Sequence, residues 1–97
     1  MNFEERIDRA IQEMSKIGYK PNIFIDMRIE HGTIEAIKRL IHSEVVQSGF
    51  TTLWENKRLD LSMENIIQEP EWADIFTDED RLLAKKRLKD YNFVFDK

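Results

Sequence analysis

The sequence predicts an all-α, compact single domain of about five to six short helices spanning residues 1–97. Three observations predict it. Apolar residues recur at three- and four-residue spacing along most of the chain, the breaks between these stretches carry helix-start or helix-stop residues, and only NIFIDMRIE and NFVFD alternate as strands do. A chain of 97 residues with 41% hydrophobic and 35% charged side chains falls in the globular range, one domain long and with a thin core, so it is expected to fold alone or as a homodimer.

The elements follow in order. Asn2 with Glu5 three residues on has the form of a capping box, and Phe3, Ile7, Ala10, Ile11, Met14 and Ile17 then keep helical spacing up to Gly18, which places the first helix at about 3–17. The next segment, GYKPNIFIDMRIEHG, reads two ways. Ile23, Ile25, Met27 and Ile29 alternate as a strand would, whereas Ile23, Phe24, Met27 and His31 fit a helix opened by Pro21 and closed by Gly32. A strand would have NFVFD as its single partner, and an isolated pair of strands is marginal, so helix is the preferred reading.

Thr33 is in position to cap a third helix with the stripe Ile34, Ile37, Leu40 and Ile41. After SEVVQ, Ser48 is placed to cap a short helix presenting Phe50, Leu53 and Trp54, Ser62 to cap MENIIQE, and Pro70 opens a helical turn with Trp72, Ile75 and Phe76. Thr77 begins the last helix, whose DED start and KKRLK later turns complement the macrodipole and whose apolar positions are Leu82, Leu83, Ala84, Leu88 and Tyr91.

Several chemistries are excluded or unsupported. Without cysteine there are no disulfides, thiolate metal ligands or cysteine nucleophiles. The opening MNFEERIDRA has acids where a secretion signal needs an apolar run, and no stretch is long enough to span a membrane, so a soluble cytoplasmic protein is expected. With only Gly18, Gly32 and Gly49 there is no glycine-rich phosphate loop, and neither GxSxG nor HExxH occurs. His31, Glu35 and Asp26 come nearest to a metal set, but Gly32 and Thr33 break the face that His31 and Glu35 would share. No catalytic residue, metal or cofactor is assigned.

Charge is distributed more unevenly than the net value of −4 suggests. Between Leu59 and Asp80 stand eight acids and no base, followed by a closing helix rich in Lys and Arg. The leading expectation is therefore a non-enzymatic interaction module that binds another protein through an acidic surface, with Glu69, Glu71 and Asp74 as contacts and Trp72 as an apolar anchor. For Trp54 and Trp72 themselves the preferred reading is as core residues packed with Leu59 and Leu61 at the corner set by RLDLS, and exposure as an interaction anchor is the alternative. The alternative function is a helix-turn-helix-like DNA-binding protein. TIEAIKRLIHS, EVVQ and SGFTTLWENKR would supply two helices and their turn, with Thr51, Thr52 and Asn56 reaching bases and Lys38, Arg39, Lys57 and Arg58 holding phosphates. The acids downstream would oppose a duplex unless they faced away, which makes nucleic acid the less favoured partner.

From Gly49 to the closing helix, the chain resembles a small helical domain family of bacteria and phages whose function is unknown. The resemblance rests on Gly49, Phe50, Trp54, Arg58, Leu59, Asp60, Leu61, Ser62, Glu64, Pro70, Trp72, Ile75, Phe76, Thr77, Arg87 and Leu88, and with GTIEAIKRLI upstream it covers about residues 32–93. It implies a helical module and carries over no activity, cofactor or catalytic residue. Physically these residues read as fold determinants, with Arg58 pairing Asp60 or Glu64 across the turn.

Overall fold

The computed structural model describes residues 1–43 and 48–93, and at Ser48 the backbone alone. The EVVQ connection, the Ser48 cap and the tail beyond Phe93 lie outside what is described. Among the described residues all regular structure is helical: α1 Phe3–Lys16, α2 Asn22–His31, α3 Thr33–His42, α4 Ser48–Glu55, α5 Met63–Ile66 and α6 Asp78–Asp90. Two 3-10 turns, Leu59–Leu61 and Pro70–Trp72, flank α5. The NIFIDMRIEH segment is thus helix and not strand.

Local chemistry sets the helix ends as the sequence suggests. In α1 the Asn2 side chain accepts from the Glu5 N–H at 2.8 Å while Glu5 accepts from the Asn2 N–H at 3.0 Å. Thr77 and Asp80 repeat the arrangement in α6 at 3.1 and 3.0 Å, and Ser62 caps α5 by accepting from the Asn65 N–H. Helix α1 ends in a Schellman motif: Gly18 has φ +79°, and the Tyr19 and Gly18 amides return to the carbonyls of Met14 and Ser15. Helix α4 ends the same way with Lys57 at φ 59°, a conformation that glycine adopts with less strain.

One expected cap takes another role. Thr33 is already helical, preceded by Gly32 at φ 87°, and its hydroxyl joins a network centred on Arg28. Arg28 donates to Thr33 at 2.7 Å, to Asp8 at 2.7 Å and to Glu4 at 2.8 Å, while the Thr33 hydroxyl donates to Glu4 at 2.6 Å. One guanidinium thereby joins α1, α2 and α3. The Arg28 and Thr33 hydrogen bonds hold the Glu4 carboxyl below its usual range.

The core is assembled from one stripe of each long helix and nearly all of the short ones. Phe3, Ile7, Ala10 and Met14 of α1 meet Ala36, Ile37 and Ile41 of α3, Phe50 and Leu53 of α4, and Leu59, Leu61, Met63, Ile66 and Ile67 around α5. Helix α2 contributes Phe24, with Met27 partly covered, while Ile23 and Ile29 are 62% and 80% exposed, so Ile23 does not face the core as its spacing suggested. Trp72 is buried against Phe3, ring centroids 5.1 Å apart, and its indole N–H donates to Glu69. Trp54 is 46% exposed and packs edge-on against Tyr91 at 5.4 Å. The two tryptophans therefore belong to different clusters, and their ring partners are Phe3 and Tyr91.

Candidate functional site

The acidic stretch that dominates the charge pattern is divided by the fold into acids that the protein neutralises itself and acids that it leaves at the surface. Glu64 is buried and receives Arg87 at 2.9 Å, and the same guanidinium donates to the carbonyls of Leu40, Ile41 and Ser43 at the end of α3. Burial pushes the Glu64 carboxyl up, with a backbone amide and Arg87 pulling against it. Arg87 thus serves as counter-ion for one element and C-cap for another.

Asp80 is also buried. Its carboxylate lies 2.6 Å from His42 Nε2, 3.0 Å from the Thr77 amide nitrogen and 3.7 Å from Lys38 Nζ. Burial acts to raise its pKa, but the hydrogen bonds from His42 and Thr77, with Lys38 nearby, outweigh it and leave the group below its ordinary value. Glu69 receives a two-pronged Arg6 guanidinium, the shorter contact 2.7 Å, together with the Trp72 indole. Of the two partners that the sequence offered Arg58, Asp60 takes it at 3.1 Å across the RLDLS turn, while Glu64 pairs with Arg87 instead.

This division separates the four residues proposed as a partner surface. Glu69 and Trp72 are turned inward and bonded to one another, because Arg6 of α1 supplies a cation that no base near Glu69 in sequence announces. Glu71 and Asp74 are exposed on the turn leading to α6. Asp78 and Glu79 in the first turn of α6 are exposed as well, and among the described residues none of these four acids enters an ion pair.

Helix α6 adds two side chains that sequence spacing had assigned to the core. Its inward stripe is Asp80, Ala84 and Leu88, whereas Leu82 is 69% exposed and Leu83 38%. Leu82 lies four residues after Asp78 and three after Glu79, so the carboxylates and the leucine share one face of the helix. The signal was present in the sequence: once Asp80 is committed to the capping box and to α3, residues 84 and 88 must follow it inward and 82 must turn out.

The residues of the DNA-binding alternative are placed less favourably. Lys38 is paired with Asp80, Arg39 with Glu35 at 3.1 Å and Arg58 with Asp60; of the four bases, Lys57 alone enters no ion pair among the described residues. Thr51 and Thr52 are half-buried, and Asn56 donates to the Thr52 carbonyl at 2.8 Å, closing the end of its own helix. Among the described residues no group of three or more His, Asp or Glu side chains converges as a metal site requires, and no helix is long and apolar enough to cross a membrane. No protein-family model, curated protein or solved structure matches the chain.

Proposed function

We propose that this protein is a non-enzymatic helical interaction module that binds another protein through the outer face of α6 and the acidic turn before it. The carrying observation is the pair of exposed leucines, Leu82 and Leu83, one helical turn from Asp78 and Glu79, with Glu71 and Asp74 also exposed on the turn before the helix. An apolar centre with a charged border is the anatomy of a specific protein contact. Covering a leucine yields roughly 1.5–3 kcal/mol, whereas the acids orient the encounter and select the partner. The partner's chemistry follows: an apolar hollow with Lys or Arg on the side that meets Asp78 and Glu79 and acidic groups on the side that meets the exposed Lys85 and Lys86.

The test is capture from the native host with the whole chain as bait, compared across variants. Leu82→Asn with Leu83→Asn is expected to release the captured protein, and reversal of Asp78 and Glu79 to Lys is expected to weaken it along with rising salt. Ile29→Asn, on the exposed side of α2, is expected to leave capture unchanged. Retention by both α6 variants rejects this face as the site. Three of the four bases of the helix-turn-helix alternative are already paired, and a titration with duplex DNA near about 50 mM salt, where phosphate contacts are strong, is expected to show no binding.

A further inference from the structure

A cleft separate from the α6 face opens where the end of α1, the start of α2, and α4 and α5 converge. Its volume is about 280 Å³, and its walls are mostly apolar: Met14, Phe24, Leu40, Phe50, Leu53 and Met63. That is well above the roughly 150 Å³ apolar cavity that admits benzene. It is also close to the lower end, roughly 300 Å³, of pockets that hold drug-sized ligands.

Tyr19 forms part of the wall, held there by the Schellman turn that ends α1. Its phenol ends against Gly49, where a β-carbon would run into the hydroxyl, so the absence of a side chain at 49 is what lets the ring lie there. Among the described residues that hydroxyl makes no hydrogen bond, although tyrosine hydroxyls in partly buried positions usually find a partner. Burial pushes its pKa up, so at neutral pH it remains an O–H donor. Glu64 also borders the cleft, but Arg87 already neutralises it, and the Ser62 hydroxyl is engaged with the Leu59 carbonyl and the Asn65 amide.

We propose that this cleft is a binding site for a small neutral molecule with an aromatic or branched apolar body and one hydrogen-bond-accepting oxygen, such as a ketone, which takes the Tyr19 hydroxyl proton in a hydrogen bond. The apolar walls select the body, Tyr19 supplies a hydroxyl donor on the wall, and the pairing of Glu64 with Arg87 leaves no free carboxylate there, while Asn22 and the exposed Lys20 stand at the border of the cleft.

Acetophenone and ethylbenzene share a ring and differ in the acetyl oxygen, so together they separate the two parts of the proposal. Titrated into the whole chain and followed by amide ¹H–¹⁵N spectra, acetophenone is expected to shift Tyr19–Phe24, Phe50 and Met63 saturably, with half-saturation on the order of 1 mM. Tyr19→Phe removes only the hydroxyl and is expected to weaken acetophenone roughly fivefold while leaving ethylbenzene unchanged. Leu40→Trp, filling the cleft, is expected to lose both. Absence of saturable shifts in the folded wild type overturns the site. So does a Tyr19→Phe protein that binds acetophenone as well as the wild type does, or one that weakens both probes alike. None of these readouts depends on the α6 face.

Discussion

Helices α1 and α6 begin alike, each with a reciprocal capping box, and yet their inward faces are chosen by different forces. In α1 the apolar periodicity decides: Phe3, Ile7, Ala10 and Met14 are spaced for one face, and that face is buried. In α6 the inward stripe is an aspartate, an alanine and a leucine, while two leucines are left outside. Polar contacts set that rotation. Asp80 is drawn to His42 and Lys38 of α3, Arg87 to Glu64 and to the open carbonyls of α3, and Ala84 lies between them in the interior. A helix whose rotation is set by charge pairs can leave leucines free for another molecule, and one set by burial cannot.

The comparison predicts a ranking of effects. The largest belongs to Arg87. Arg87→Met strands the Glu64 carboxylate in the interior and uncaps α3, and is expected to cost about 3–5 kcal/mol in chemical denaturation at neutral pH. Because burial already holds the Glu64 pKa up, the loss should shrink as the pH falls and Glu64 takes a proton. A loss that stays the same down to acid pH would contradict the buried-pair account.

Ile7→Ala, in the middle of the α1 stripe and fully buried, is expected to cost about 2–5 kcal/mol through lost burial and the cavity left behind, with no dependence on pH. Asp80→Asn comes next, at about 1–2 kcal/mol, since it weakens the capping box and the contacts to His42 and Lys38 together. Its pH signature differs from that of Arg87→Met. A carboxyl whose folded pKa is depressed stabilises the protein above the ordinary aspartate range, and that stability is lost as the pH falls through the depressed value. The variant should therefore show a flatter acid limb in its stability-against-pH curve than the wild type.

Leu82→Ala is the smallest effect, within about 0.5 kcal/mol of wild type by the same denaturation measurement, because the side chain leaves an exposed position and alanine is a strong helix former. A cost near that of Ile7→Ala would place Leu82 in the folding core and remove it from the proposed contact face.

Legibility in the sequence followed the range of the interactions. The capping residues Asn2, Ser62 and Thr77 and the turn at Gly18 are contacts across a few residues and were readable from spacing alone, whereas for Arg58 spacing left Asp60 and Glu64 both open. The burial of Trp72 was the preferred reading of its corner, but its ring partner Phe3 and the inward turn of Glu69 toward Arg6 were not legible, because both partners come from the opposite end of the chain. For the same reason the acidic stretch looked like one surface: a run of like charge in sequence says nothing about the cations that other helices bring to it. Tyr19 and Gly49 were individually visible as a residue after a helix end and a residue within the resemblance, but their contact across the cleft was not.

The sequence by itself determined the all-helical class, the order of the elements and most of their ends, since these rest on backbone hydrogen bonding and burial periodicity within single segments. The tertiary structure alone decided which acids are neutralised, which way α6 turns and where a cleft remains. Those outcomes depend on pairing between segments far apart in the chain, where a single guanidinium such as Arg28 or Arg87 satisfies groups from several helices at once.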